Sequence, residues 1–319
     1  MEGMTSPRVT VVGSFMQDLV FRCGEFPRPG ETIVGQFATG PGGKGSNQAV
    51  AAARAGGRVA FLGAVGDDAF GAGAREFHGA EGIDCRMVAK AGVPTGSAGI
   101  LVNGHGQNEI IIAPHANDAL SAADVDAHAD TLRDCAVIVT QLEANLAAQS
   151  HALRLAHAAG ATTILNPAPM RADFDAATLA DVDILVPNET EFCTLSGLLG
   201  VAELDEKILA ALSDDDLHGL CRRFGVATVI VTLGARGCLV SRAEGGTLVP
   251  GIRGVEVVDT TGAGDAFVGA FATALAELGA GEIERAARFA NAGAALSVTR
   301  AGAAPAMPRR AEIDALLKR

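Results

Sequence analysis

Short runs of Val, Ile and Leu without polar alternation recur along this chain: "RVTVV", "RVAFLGAVG", "CAVIVT", "TTIL", "VDILV" and "ATVIVT". A strand wetted on one side alternates polar and apolar residues, whereas a strand covered on both sides does not. Between these runs lie segments of helical character, "NQAVAAARAG", "FGAGAREFHGAEG", "SAADVDAHADTLRD" with Ser121 as cap, and "LAAQSHALRLAHAAG". Strand alternating with helix predicts an α/β fold, a doubly wound and mostly parallel sheet flanked by helices. Two segments break the rhythm. Residues 31–38 and 98–113 read as strands without intervening helices, the second turning through "NGHGQN" as a hairpin. They predict a small β-sheet lid, residues 14–40 and 94–115, over the carboxyl ends of the parallel strands, where open sheets bind ligands. The core then takes residues 1–13, 41–93 and 116–319. Residues 201–217 read as a helix followed by an acidic cap.

With 49% hydrophobic and 19% charged residues, the chain can bury a sizeable core. Its net charge of −12 counts against nucleic acid or an anionic membrane as partner. The opening "MEGMTSPRVTVVGSF" carries no leader pattern, and no stretch reaches the roughly 18 uncharged apolar residues of a membrane helix. The six cysteines are scattered and never form C-x-x-C, which predicts reduced thiols, a cytoplasmic protein and no zinc site.

Chemistry enters with "DTTGAGDAF", Asp259 to Phe267. Gly262, Ala263 and Gly264 can present successive N–H groups to one anion at the mouth of a helix, with Asp265 beside them as a general base. By itself the segment is more simply a tight turn with an Asp cap. "GPGGKGSNQA" matches G-x-G-x-x-G through Gly40, Gly42 and Gly45, with Asp67 placed as a ribose acid, which opens a dinucleotide-binding dehydrogenase reading. That fingerprint normally follows the first core strand, and it leaves "DTTGAGD" without a role. The competing reading makes Gly42 and Gly43 a close-approach surface, with Lys44 and Asn47 reaching a polar ligand. Asp18 in "GSFMQD" suits a polyol, because a carboxylate accepts two hydroxyl hydrogen bonds. Glu143 ends a strand in a similar way. "PNETE" sets Asn188 and Glu191 where a carboxylate could hold Mg²⁺ through water, or where a helix simply starts.

"GGKGSNQAVAAARAG" and "DTTGAGDAFVGAF" together resemble the two signatures of the ribokinase-like sugar kinases. "GSFMQDLV", "QLE", "LNPAP", "PNETE", "VTLGARG" and "RFANAGAALSVTRAGAAPAMP" follow in family order, from about Val9 to Pro308. The resemblance implies an ATP-dependent kinase that phosphorylates the primary 5-hydroxyl of a pentose, D-ribose first, in a cytoplasmic homodimer joined through the lid. It implies Asp265 as base and the amides of Gly262, Ala263 and Gly264 as anion hole. Asp18, Gly43, Lys44, Asn47 and Glu143 correspond to sugar-binding positions, with Met16 beside them where bacterial members commonly have Asn. Asn188, Thr232, Gly234, Arg236, Gly237, Gly264 and Asn291 correspond to nucleotide positions, and Glu191 to water-mediated Mg²⁺. Asp259, Thr261, Ser297, Arg300, Gly302 and Ala306 correspond to an activating K⁺ site. Ser46 replaces the usual Ala. The alternatives are a deoxyribose or nucleoside kinase of the same family, and a non-catalytic sugar-binding module.

Overall fold

The apolar runs become the centre of a nine-stranded sheet. The computed structural model describes residues 8–318; residues 1–7, which include part of the stretch read for a leader, and Arg319 lie outside the described residues. In chain order the strands are β1 (Arg8–Val12), β2 (Met16–Arg22), β3 (Gln36–Gly42), β4 (Arg58–Gly66), β5 (Asp84–Lys90), β6 (Ser97–Val102) and β7 (Asn108–Ala113). They continue as β8 (Val137–Thr140), β9 (Thr162–Leu165), β10 (Ile184–Leu185), β11 (Thr228–Thr232), β12 (Gly237–Arg242) and β13 (Gly245–Pro250). The large sheet runs β13-β12-β11-β10-β9-β8-β1-β4-β5. Its pairings are parallel from β5 through β11, and the hairpin β12–β13 adds an antiparallel edge. Among the described residues no helix is long and apolar enough to cross a membrane.

The missing polar alternation has the expected cause. Val9, Val11, Val137, Val139, Ile164 and Ile230 pack into one core, while their neighbours Val12, Ile138, Leu165, Val229 and Val231 pack into a second on the opposite face. Burying each such side chain contributes about 1.5–3 kcal/mol. The first core is closed by the helices Lys44–Arg54, Ala263–Leu278 and Ile283–Ser297. Two of these touch almost backbone to backbone, since a Cβ at Gly269 would lie 2.4 Å from the carbonyl oxygen of Gln48. That contact sets the spacing between the helix bearing Asn47 and the helix bearing Asp265.

The small sheet runs β3-β2-β6-β7, with β2–β6 parallel and its other two pairs antiparallel. Its strand β3 starts at Gln36 rather than at residue 31. Gln36 already pairs with Arg22, the last residue of β2, so residues 31–35 have no strand left to join. The helix read over 121–134 is two short ones, Ala122–Asp126 and Ala129–Arg133, although Ser121 caps the first as expected. The acidic run after residue 212 opens a helix instead of ending one. Ser213 accepts from the Asp216 amide, and Asp214, Asp215 and Asp216 occupy the first turn, where the helix dipole favours negative charge.

Candidate active site

The helix Ala263–Leu278 begins at Gly262, whose φ of 77° is left-handed and whose Cβ would come within 3.0 Å of Ala303. The turn brings the first helical amides to the wall of a cleft. The Ala263 amide is spent within the turn, donating to the Thr260 carbonyl at 3.2 Å. The three-amide cradle expected from sequence is therefore narrower. Among the described residues the amides of Gly262, Gly264 and Asp265 have no hydrogen-bond acceptor, as the first turn of a helix leaves them.

Asp265 stands at that mouth, only 6% exposed. Asn47 Nδ2 donates to its Oδ2 at 3.0 Å and Gln48 Nε2 to its Oδ1 at 3.0 Å. The acceptor atom of the Asn47 side chain, Oδ1, is buried without a partner among the described residues. A buried acceptor left open beside a carboxylate is a vacancy for a ligand hydroxyl. Lys44 begins its helix nearby and forms no ion pair within 4 Å among the described residues. Burial disfavours its ammonium, but the charges of Asp265, Glu143 and Glu191 more than offset this and raise its pKa.

The sugar-side candidates converge across the junction of lid and core. Gly43 caps the Lys44 helix at φ 87°, where a Cβ would sit 2.7 Å from the Met16 amide. A Cβ at Gly42 would lie 2.3 Å from both carboxylate oxygens of Asp18. Burial, with the nearby charge of Glu143 adding to it, raises the Asp18 pKa to about 6. Glu143 Oε2 accepts from Ser14 Oγ at 2.6 Å and from the Lys44 amide at 2.8 Å. It thus caps a helix far from it in sequence, and Ser14, unnoticed in the sequence, aims it. Met16 is turned inward, 2% exposed, with its sulfur 3.5 Å from Asn117 Nδ2.

A cavity of about 210 Å³ joins Lys44, Asn166, Asn188, Glu191, Thr232, Gly262, Gly264 and Asp265. Larger clefts exist, one of about 780 Å³ beside the helix Glu189–Leu198, but none gathers these residues. Asn188 and Glu191 do form a helix start: Asn188 Oδ1 accepts from the Glu191 amide at 2.8 Å, and Glu191 Oε2 accepts from the Asn188 amide at 2.9 Å. Both still face the cleft. Burial raises the Glu191 pKa, opposed by the Asn188 amide and Lys44. Four nucleotide-side candidates do not line this cavity. Arg236 pairs with Asp214 at 2.7 Å, Gly234 is exposed, and Asn291 braces the β12–β13 edge by donating to the carbonyls of Val249 and Pro250. Gly237 opens β12, where a Cβ would meet the Val249 oxygen at 2.2 Å.

Asp259 ties two loops, its carboxylate accepting from the Thr261 and Gly302 amides, each at 2.9 Å. Burial works against its charge, but those amides outweigh it and hold its pKa below the usual range. The carbonyls of Thr261, Arg300, Gly302 and Ala306 accept no backbone hydrogen bond among the described residues, whereas that of Ser297 accepts from Arg300.

Open amides at a helix mouth, with a buried carboxylate beside them, are a geometry suited to binding and transferring a phosphoryl group. Residues 6–310 match the model of the pfkB family carbohydrate kinases, and the chain belongs to that family. It is a sugar kinase. It is 38% identical to the ribokinase of Haemophilus influenzae over 306 residues, 95% of this chain and 96% of that one. It is also 38% identical to the deoxyribokinase of Salmonella typhi over 304 residues, 94% of this chain and 95% of the other. The solved structure of Arabidopsis thaliana ribokinase complexed with ribose and ATP superposes with a TM-score of 0.88 at 32% identity, covering 99% of this chain and all of that one. The dehydrogenase reading falls with the family. Structurally, the glycines at 40–45 link lid strand β3 to its following helix, not the first core strand to one.

Proposed function

We propose that this carbohydrate kinase transfers the γ-phosphate of ATP to the primary 5-hydroxyl of a pentose, D-ribose above others. The observation that carries the reading is the placement of Asp265, held by two amides beside the open N–H groups of Gly262 and Gly264. Asp265 takes the proton as the hydroxyl attacks, and those two amides stabilise the charge gathering on the transferred group. Lys44, without an ion pair among the described residues, adds a positive charge to the same cleft. Asp18, Glu143 and Asn47 Oδ1 supply acceptors for sugar hydroxyls. Thr232, Asn188 and the β11–β12 turn from Gly234 to Gly237 form the nucleotide side, with Asn291 holding the hairpin behind it. The likeness to the Arabidopsis ribokinase with ribose and ATP supports the assignment of both substrates.

Two ions accompany this reading. Among the described residues no three His, Cys, Asp or Glu side chains cluster as a cage, which fits Mg²⁺ carried mainly by phosphate oxygens and waters, with Glu191 behind them. Mg²⁺ would neutralise phosphate charge. The unpaired carbonyls of Thr261, Arg300, Gly302 and Ala306, with Asp259 and the Ser297 carbonyl, suit a monovalent cation such as K⁺ held by main-chain oxygen. It would stiffen the loop that feeds the Gly262 turn.

ADP release measured across pentoses, 2-deoxypentoses and nucleosides, with and without potassium, tests the function. D-Ribose should give the highest kcat/KM, and no ADP release with any sugar would reject the reading. A 2-deoxypentose is the second reading: Met16 has no side-chain amide to offer a sugar hydroxyl, and the chain is as identical to a deoxyribokinase as to a ribokinase.

Asp18→Asn separates binding from stability. The Asp18 carboxyl is held above its ordinary pKa of 3.8, at about 6, so between those values the folded state binds more protons than the unfolded one. Stability contributed by this group is therefore lost as pH rises from about 4 to 6. At pH 7.5 Asp18→Asn should raise Tm in the absence of sugar while raising the sugar KM at least tenfold. An unchanged KM for every pentose would remove Asp18 from the sugar site.

Phe21, Phe37 (58% exposed) and Ile111 (75%) share the lid face opposite the one that carries Asp18. An apolar patch on a β-sheet is suited to a second copy of the chain, and we assign it to a homodimer. Ile111→Lys should shift sedimentation from dimer to monomer; a wild-type chain sedimenting as a monomer would contradict the assignment. A cytoplasmic location agrees with six free cysteines.

A further inference from the structure

The base carboxylate is held by more than its immediate neighbour. The Gln48 Nε2 amide reaches both Asp265 Oδ1 and Asn166 Oδ1, each at 3.0 Å. Gln48 Oε1 accepts from Gln141 Nε2 at 2.7 Å. Asn166 Nδ2 in turn donates to the carbonyl of Val186 at 2.9 Å. Gln48 and Gln141 are fully buried, and Asn166 is 8% exposed.

The direction of this chain is dictated by its far end. A main-chain carbonyl can only accept, so Asn166 must turn its NH₂ to Val186 and its oxygen to Gln48. Gln48 must then present its two N–H groups to Asn166 and Asp265, leaving its oxygen for the Gln141 amide. A flipped Gln48 would set oxygen against two oxygens and nitrogen against nitrogen. One amide rotamer is therefore fixed by four segments: the one after β9 through Asn166, the one after β10 through Val186, the one after β8 through Gln141, and the Lys44–Arg54 helix. Val186 lies two residues before Asn188, so the same tie couples the base to the helix start formed by Asn188 and Glu191.

We propose that Gln48 is a positioning residue for the phosphoryl-transfer step, locking the rotamer of Asp265 and its register against the Asn188–Glu191 helix start through Asn166. The inference rests on the reading of Asp265 as base. Gln48 touches no substrate surface: it is fully buried, and the cleft is lined by Asn166 and Asp265 in front of it.

Gln48→Met keeps length and volume and removes every hydrogen bond. A displaced base costs up to about 10²-fold in rate, so kcat should fall by about 10–100-fold while the KM values for sugar and ATP stay within about twofold. In the double variant Gln48→Met/Asp265→Asn the loss should match that of Asp265→Asn alone, because the amide acts only through the carboxylate. A general packing defect would instead raise both KM values and multiply the two losses, and either result overturns the inference. If Gln48→Met does not fold, Asn166→Ala carries the same test, since Asn166 borders the cleft and water can reach the freed Val186 carbonyl. Normal turnover in Gln48→Met beside an impaired Asp265→Asn rejects Gln48 alone; normal turnover in Asp265→Asn rejects the base itself.

Discussion

Asp265→Asn is expected to lower kcat by roughly 10²–10⁴ fold, the range for loss of a positioned general base. That corresponds to about 3–5 kcal/mol of barrier. The substitution preserves volume, so the cleft of Lys44, Asn188 and Thr232 remains and ATP should bind with little change. The new amide also meets two donors, Asn47 Nδ2 and Gln48 Nε2, where the carboxylate offered an acceptor to each. Steady-state kinetics with calorimetric binding of ATP would separate the two effects. A variant that turns over at near the wild-type rate would show that the proton leaves by another route.

The second large effect is expected from Gly264→Val, and it should occur without loss of stability. Gly264 is the second residue of its helix, and a Cβ there meets no atom within 4 Å. The side chain would stand in the cleft, beside the open amides proposed to receive the phosphate. Valine is a better helix former than glycine, so Tm should hold or rise slightly. Obstructing a pre-aimed donor is worth about 10²–10³ fold, so kcat/KM for ATP should fall by about 10²-fold. Gly262 behaves differently: its left-handed φ and the nearby Ala303 make any side chain a folding defect. If Gly264→Val retained full activity, phosphate would not approach along this turn.

The parallel sheet was legible because burial on two faces leaves a plain mark, continuous Val, Ile and Leu. Of the strands that escaped reading, β5 and β13 form the sheet edges, where partial exposure mixes in Arg, Lys and Thr, β12 is buried but ends in Ser241 and Arg242, and β2 of the lid interleaves Gln17, Asp18 and Arg22 with its apolar residues. Site residues were legible where a segment needed an unusual backbone, as at Gly43 and Gly262. What sequence could not give was pairing across distance. Gln48 and Asp265 are 217 positions apart, and only the close passage of two helices at Gly269 joins them. The spent amide of Ala263 was equally hidden, because composition does not say which N–H a turn will use. Asn166 carried a readable sign, an amide ending an apolar strand inside "LNPAP", much as Asn188 ends another.

The central claim is geometric, and a ternary complex with D-ribose and a non-hydrolysable ATP analogue tests it most directly. The account predicts the primary hydroxyl of the sugar within about 3 Å of the Asp265 carboxylate, and the terminal phosphate on the amides of Gly262 and Gly264. A sugar bound with that hydroxyl facing away from Asp265, or a phosphate seated elsewhere in the cleft, would contradict it.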